Sequence, residues 1–320
     1  MTAPDVSVII PAWKAGGFIA RAVNSALAST SVSVEVVVVD DASPDETFKV
    51  LQALAANDKR IIIDRLAVNG GPSAARNRAI ELASGRFIAV LDADDAMTPE
   101  RLSRLVALAD ARSADIVVDN MIEVDAAGAP LGDRRFLKSA AFAAASDINL
   151  QTWIAFNQPM KAGDCLGYLK PLIRRETFDR LDARYNATLR NSEDYYLVAD
   201  LLAGSACMTY TPEAGYLYTR AAGSISHRLN TKDTRAWLAA EARFLKRHAG
   251  KLSPADQAAL AKRMRALRNV DQFVAAVDAL KGRKLGVFFG LLTSDIPAAG
   301  YTLSTFAKIA AGKVLRRKLV

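Results

Sequence analysis

Five short runs rich in valine and isoleucine, at residues 6–10, 34–39, 61–65, 87–91 and 116–118, alternate with amphipathic stretches through the first 120 residues. Each run is mostly apolar on both faces, which suits strands whose sheet is covered by helices on both sides. The alternation predicts βαβ units and a largely parallel sheet, hence an α/β fold. Between the first two runs, Phe18, Ile19, Ala22, Val23, Ala26 and Leu27 form one helical stripe. Ser43-Pro44-Asp45-Glu46 predicts an N-cap, a proline in the first turn and a following helix. Thr98-Pro99-Glu100 predicts the same after the fourth run, with Leu102, Leu105 and Leu108 turned to the sheet.

From residue 121 to 228 the alternation loosens around Pro159, Gly163, Gly167 and Pro171, leaving one clear helix at 193–203 and short strands at 208–209 and 216–219. Residues 229–320 are helical in character, with Ser253-Pro254-Ala255-Asp256 as a start signal and Leu260, Met264, Leu267, Val270, Val274 and Val277 as a stripe. Lys262, Arg265 and Arg268 fall on the other side of that helix. The expected organisation is therefore a two-part α/β domain, 1–120 and 121–228, followed by a basic helical region, 229–320.

Charge divides along the same boundary. The formal net charge of +8 suggests nucleic acid at first sight. Residues 1–228 carry 24 Lys and Arg against 28 Asp and Glu, whereas 229–320 carry 18 against 6. The whole surplus lies in the tail, so a nucleic-acid partner is not expected. No apolar run reaches the roughly 18 residues of a membrane span, and the short run before Pro11 lacks the flanks of a secretory signal. Cys165 and Cys207 lie far apart without paired spacing, which reads as inert buried thiols in a reducing cytosol.

Carboxylates gather where strands should end. Asp40 and Asp41 follow the second run, and Asp92, Asp94 and Asp95 follow the fourth. In open parallel sheets ligands bind beyond the carboxyl ends of strands, so both clusters fall where a nucleotide would sit. Three carboxylates within four residues repel one another unless donors or a cation compensate them, and Mg²⁺ or Mn²⁺ bridging to a diphosphate suits such oxygen-rich ligands. A solvated turn capping the next helix is the plainer reading, and Asp95 alone fits it. Glu193 and Asp194 similarly suit a first helical turn on electrostatic grounds alone, with Asn191 or Ser192 as the cap.

These pieces fall within a longer series. Val6-Ser-Val-Ile-Ile-Pro-Ala-Trp-Lys-Ala, Val38-Val-Asp-Asp-Ala-Ser-Pro-Asp-Glu-Thr, Asn69-Gly-Gly-Pro-Ser-Ala-Ala-Arg-Asn-Arg-Ala-Ile and Ala89-Val-Leu-Asp-Ala-Asp-Asp occur in that order over some 110 residues. Together they resemble family 2 glycosyltransferases of the GT-A fold. Asn191-Ser-Glu-Asp-Tyr-Tyr and Tyr216-Leu-Tyr-Thr-Arg-Ala-Ala-Gly-Ser-Ile-Ser-His are similar to that family's later motifs.

The resemblance implies roles residue by residue. Pro11 and Ala12 would floor the nucleotide base, and Asp41 would accept from the uracil N–H of a UDP-sugar. Asp92, with Ala93 beside it, would reach the ribose or a metal-bound water, and Asp94 would coordinate Mn²⁺ or Mg²⁺. Arg76 would help hold base or phosphate, or else be an exposed helix arginine. Asp194 would be the general base of an inverting displacement. His227 would be a third metal ligand or a surface histidine, and His248 structural or exposed. The implied partners are a nucleotide diphosphate sugar donor and a saccharide acceptor. A lipid-linked acceptor would place the basic tail on the cytoplasmic membrane surface. The rival readings are a nucleotidyltransferase, disfavoured because only Lys14 and two late glycines follow the first strand, and a catalytically silent sugar-nucleotide or membrane scaffold.

Overall fold

The computed structural model describes residues 3–220 and 229–310. They form two compact units, one of residues 1–153 with 164–221 and the other of 154–163 with 222–320.

The first unit is built on one sheet. In chain order its elements are β1 (Val6–Ala12), α1 (Ile19–Leu27), β2 (Val34–Asp40), α2 (Thr47–Asn57), β3 (Ile61–Arg65), α3 (Pro72–Leu82), β4 (Phe87–Val90), β5 (Ala96–Met97), α4 (Arg101–Arg112), β6 (Ile116–Val124), β7 (Pro130–Arg135), β8 (Ser146–Asp147), α5 (Leu150–Ala155, which runs into the second unit), β9 (Leu172–Arg174), α6 (Arg175–Arg180), α7 (Glu193–Ala203) and β10 (Met208–Thr219). The strand order is β3-β2-β1-β4-β9-β6-β10-β5, with β7 on β6 and β8 on β10. β1 to β4 are parallel, as the sequence predicts. β9 then runs antiparallel to both β4 and β6, so the complete sheet is mixed.

The apolar runs form the core because both of their faces are covered. Val8, Ile9 and Ile10 of β1 and Val36 to Val39 of β2 are fully buried. The chain steps outward from β1 to β2 to β3, then returns across to β4 on the far side of β1. Right-handed crossovers place α1 and α2 on one face and α3 on the other, because the direction of travel reverses. That reversal opens a crevice beyond the ends of β1 and β4. Gly85 marks how tightly the elements approach: a Cβ there would lie 2.6 Å from the Ser7 backbone nitrogen.

Several local expectations change in the structure. α2 begins at Thr47, not at Pro44, and α4 at Arg101, not at Pro99, neither with a side-chain cap. Ser43 instead accepts from the Lys14 N–H at 3.0 Å, joining the loops after β2 and β1. Leu108 is half-buried while Leu102 and Leu105 are buried. The two short strands near 208 and 216 are one strand, β10, interrupted by register shifts around Ala214. Cys165 is half-buried and Cys207 exposed, so neither is the buried thiol expected.

α4 supplies an anchor at its first residue. Arg101 is fully buried, forms an ion pair with Asp119 of β6 at 2.8 Å, and donates to the carbonyl of Lys170 at 2.6 Å. Asp119 also accepts from the Gly215 N–H at 3.0 Å, which holds the irregular part of β10.

The second unit contains α8 (Thr231–His248), α9 (Pro254–Lys281), α10 (Leu285–Ser294) and α11 (Ile296–Ala310). α9 starts with the capping box that Ser253 and Asp256 predict. Its stripe forms the core: Val270, Phe273 and Val274 are buried against Met160, Tyr301 and Phe306. Lys262, Arg265 and Arg268 are exposed. His248 is buried, its ring 4.7 Å from that of Phe244.

Replacing Arg101 by leucine leaves Asp119 charged and buried without its ion-pair partner. The expected loss is about 3–5 kcal/mol, read from the urea unfolding midpoint. A loss below about 1 kcal/mol would show that the pair does not anchor the sheet.

Candidate active site

Each nucleotide-side residue except Arg76, which lies in α3, sits at the C-terminal end of a strand or in the loop beyond it. Pro11 and Ala12 end β1, and the Ala12 carbonyl accepts from the Asp41 N–H at 2.8 Å. Asp41 is buried, and its two carboxylate oxygens accept from the Gly70 and Gly71 N–H groups at 2.7 and 2.8 Å. Gly71 adopts φ 86°, a left-handed value that glycine reaches without a Cβ clash, and Pro72 then opens α3. The carboxylate thus fixes the start of the helix that carries Arg76. Each of its oxygens keeps a second lone pair for an incoming donor.

Arg76 is buried, which excludes an exposed helix arginine. Its guanidinium lies 2.7 Å from Asp92, 2.6 Å from Glu193 and 3.6 Å from Asp194. Its two terminal nitrogens donate to Glu193 and Asp92. Lys170 closes the other side, with its ammonium 2.8 Å from Oδ2 of Asp92 and 2.8 Å from Oδ2 of Asp194. Two cations therefore hold three carboxylates from β4 and α7, and the cluster is one negative charge in excess. Burial by itself disfavours both cations, but Asp194 and Asp92 outweigh it and keep Arg76 and Lys170 protonated well above their ordinary ranges. Burial likewise works against the Asp92 carboxylate, and Lys170 and Arg76 overcome it, holding its pKa below the usual carboxylate range.

Three buried polar atoms at this cluster have no hydrogen-bond partner: Oδ1 of Asp194, Nε of Arg76 and the hydroxyl of Tyr185, whose ring stacks 5.2 Å under Arg76. Buried orphans of this kind are rare in finished cores and mark places that a ligand or water completes. Burial, followed by the charge of Asp194, raises the Tyr185 hydroxyl well above its ordinary range, so it remains a neutral donor.

The remaining acidic residues divide by exposure. Asp95 is buried and accepts from the Tyr216 hydroxyl at 2.6 Å and the Thr219 N–H at 2.8 Å, while Tyr216 accepts from the Asp92 N–H at 3.1 Å. Asp95 therefore ties the end of β10 to the turn after β4 and does not cap α4. Asp94 is exposed; its carbonyl accepts from Arg21 at 2.6 Å, and its carboxylate makes no ion pair among the described residues. Ala93 is buried between them. Partial loss of water around the carboxylate, then the charge of Asp92, raises the pKa of Asp94, although the residue as a whole is exposed, and burial with the Asp92 and Asp94 charges pushes Asp95 up to about 7.

This crowding of acidic oxygens is what a hard divalent ion relieves, so Asp94 fits such a metal. Among the described residues no group of three His, Cys, Asp or Glu side chains stands ready to hold an ion, so a diphosphate and water would supply most ligands. His227 lies outside the described residues.

Sequence reasoning missed Lys170, Tyr185 and the partners of Glu193. Lys170 lies in the irregular stretch before Pro171, where no motif or periodicity singles it out. Only the insertion of β9 between β4 and β6 brings it inward. Ser192 occupies the N-cap position of α7 at φ 61° without a side-chain cap bond. The acids of the first turn are held by Arg76 and Lys170 instead.

Comparison with known proteins supports the reading of the motifs. The model of Glycosyl transferase family 2 matches residues 7–175. Succinoglycan biosynthesis protein ExoO of Rhizobium meliloti (strain 1021) is 39% identical over 282 residues, covering 88% of this chain and 79% of that protein. ExoU of the same organism, also named for succinoglycan biosynthesis, is 35% identical over 298 residues, covering 92% and 84%. Among solved structures, S. aureus TarS 1–349 in complex with UDP-GlcNAc superposes with a TM-score of 0.62 at 18% identity, over 98% of this chain and 93% of that one. Mannosyltransferase PcManGT from Pyrobaculum calidifontis, in complex with GDP-Man and Mn²⁺, gives 0.59 at 17% identity, over 97% and 81%. At these identities the structural likeness bears on the fold. With the family model matching more than half its length and relatives aligned across most of both sequences, the chain belongs to glycosyl transferase family 2 and has the GT-A fold.

Proposed function

We propose that this glycosyltransferase is an inverting enzyme that moves a hexose from a nucleotide diphosphate sugar, UDP-linked, to a saccharide acceptor in exopolysaccharide or lipopolysaccharide assembly. One observation carries the reading: Oδ1 of Asp194 is buried without a hydrogen-bond partner, and its carboxylate is joined through Arg76 and Lys170 to Asp92 at the donor side of the crevice. In an inverting displacement the acceptor hydroxyl attacks the anomeric carbon as the bond to the diphosphate breaks, and its proton passes to a carboxylate. Asp194 is that carboxylate, and no covalent nucleophile is required. Pro11, Ala12 and Asp41 receive the base, while Asp92, Ala93 and Arg76 border the sugar and diphosphate. Mn²⁺ or Mg²⁺ at Asp94, with His227 as a further ligand, would neutralise charge on the departing diphosphate. The names of the relatives point to polysaccharide biosynthesis, and the sugar nucleotides bound by the structural neighbours support the donor class.

The second unit supports a place at the cytoplasmic face of the membrane, with a lipid-linked acceptor. Among the described residues no helix is long and apolar enough to cross a bilayer. None of the ten residues of α10 is buried, and Leu285, Val287 and Phe289 are exposed beside Lys281, Arg283 and Lys284. An apolar helix with adjacent cations suits the interface of an anionic bilayer.

Asp194→Asn is expected to keep nucleotide binding and to lower transfer roughly 100- to 10,000-fold, in a screen of UDP-, GDP- and dTDP-hexoses read as released nucleotide. Near-normal turnover by the variant would remove Asp194 from the base role, and no response of the wild type to any donor would favour a silent binding protein. Chelation should abolish turnover, and Asp94→Asn should raise the Mn²⁺ concentration for half-maximal activity at least about tenfold. Full activity in chelator would remove the metal. The chain should co-sediment with phosphatidylglycerol-containing vesicles but not with pure phosphatidylcholine, weakening as salt rises, and Val287→Asp with Phe289→Asp should release it. Failure to bind the anionic vesicles even at low salt would overturn the membrane reading.

A further inference from the structure

The Lys170 ammonium donates to Oδ2 of Asp194 at 2.8 Å and lies the same distance from Oδ2 of Asp92, while Oδ1 of Asp194 has no hydrogen-bond partner. The two oxygens of one carboxylate are thus unequal: Oδ2 accepts a charge-assisted hydrogen bond at 2.8 Å, whereas Oδ1 has only the Arg76 guanidinium at 3.6 Å, beyond hydrogen-bond distance. We infer that Lys170 is a positioning residue for transfer, pinning Oδ2 of Asp194 so that Oδ1 alone faces the acceptor hydroxyl, and tying that base to the donor-side carboxylate Asp92. The inference rests on Asp194 being the base.

Lys170 is itself fixed from its backbone. Its carbonyl accepts from the buried Arg101, and the next carbonyl, that of Pro171, accepts from the Val90 N–H at the end of β4. The lysine thus stands beside the end of β4, from which the chain runs on to the donor-side acids, and its side chain reaches across to α7. Either carboxylate can move only by breaking a buried charge-assisted hydrogen bond, a strong class of contact. When the acceptor oxygen bonds to the anomeric carbon, the electron pair of the breaking bond leaves with the diphosphate and the hydroxyl proton passes to Oδ1. Lys170 donates no proton in this step: before transfer Asp194 and Asp92 hold it charged, and afterwards the Asp92 carboxylate stays 2.8 Å away. Its contribution is geometric, and misplacing a reacting group by about 1 Å costs on the order of 100-fold in rate.

The position of Lys170 between two carboxylates makes its role separable by experiment. Lys170→Met removes the same partner from Asp92 and from Asp194. Nucleotide binding is read by calorimetry with UDP and Mn²⁺, and turnover as nucleotide released from the sugar nucleotide that the wild type uses. A positioning role gives a kcat lowered about 100-fold with UDP affinity within about threefold. A merely structural role would weaken UDP binding in parallel, and that result, or a kcat within threefold of wild type, overturns the inference. If Lys170→Met does not fold, Lys170→Arg decides: it keeps the charge but presents a planar fork instead of a point donor, so kcat should fall at least about tenfold at unchanged UDP affinity. Full activity of the arginine variant overturns the inference. Asp194→Asn is run alongside: an inactive Asp194→Asn with an active Lys170 variant retires only the role of Lys170, whereas an active Asp194→Asn retires the base itself.

Discussion

Two buried cations holding three carboxylates are the constraint on which the site depends. Arg76 comes from α3, Lys170 from the segment before β9, Asp92 from the end of β4, and Glu193 and Asp194 from the first turn of α7. Charges buried in this way are tolerated only when paired and hydrogen-bonded, so no one of these elements can shift without stranding a partner. The ion pairs therefore do what apolar packing cannot. They fix the direction of individual oxygen atoms at the mouth of a crevice that must stay accessible to substrate.

Around this cluster the fold distributes rigidity and freedom unequally. Asp41 is held by two backbone N–H groups, Asp95 by Tyr216 and Thr219, and Asp119 by Arg101, each acid joining two segments of the first unit. Asp94 is the exception, exposed and without an ion pair among the described residues. Four acids near one another thus have different tasks because their surroundings differ. The ones that are saturated build the frame, and the one left open is available to a cation.

The second unit follows a different physical rule. Its core along α9 is an ordinary apolar stripe facing Tyr301 and Phe306, yet α10 leaves its apolar side chains exposed next to lysines and arginine. Exposed apolar side chains that line one helix mark an interaction surface more often than an accident of packing. Of the basic residues that give 229–320 its surplus, Lys281, Arg283 and Lys284 stand exposed next to that helix.

The sequence by itself determined the parallel half of the sheet, the family, and the places of Asp41, Asp92, Asp94 and Asp194. Strand burial, helix periodicity and short motifs are local signals, complete within ten or so residues. The starts of α2 and α4, the continuity of β10 and the inward turn of Lys170 were decided by tertiary structure. Ser43 and Asp95 look like helix caps in one dimension, but in the folded chain their hydrogen bonds go to Lys14, Tyr216 and Thr219. Lys170 has no local signature because its partners stand 78 and 24 residues away and meet it only when β9 enters the sheet antiparallel. That Asp194 opens a helix was written in the chain; that one of its oxygens is hydrogen-bonded and the other is not depends on a lysine that only the fold brings near.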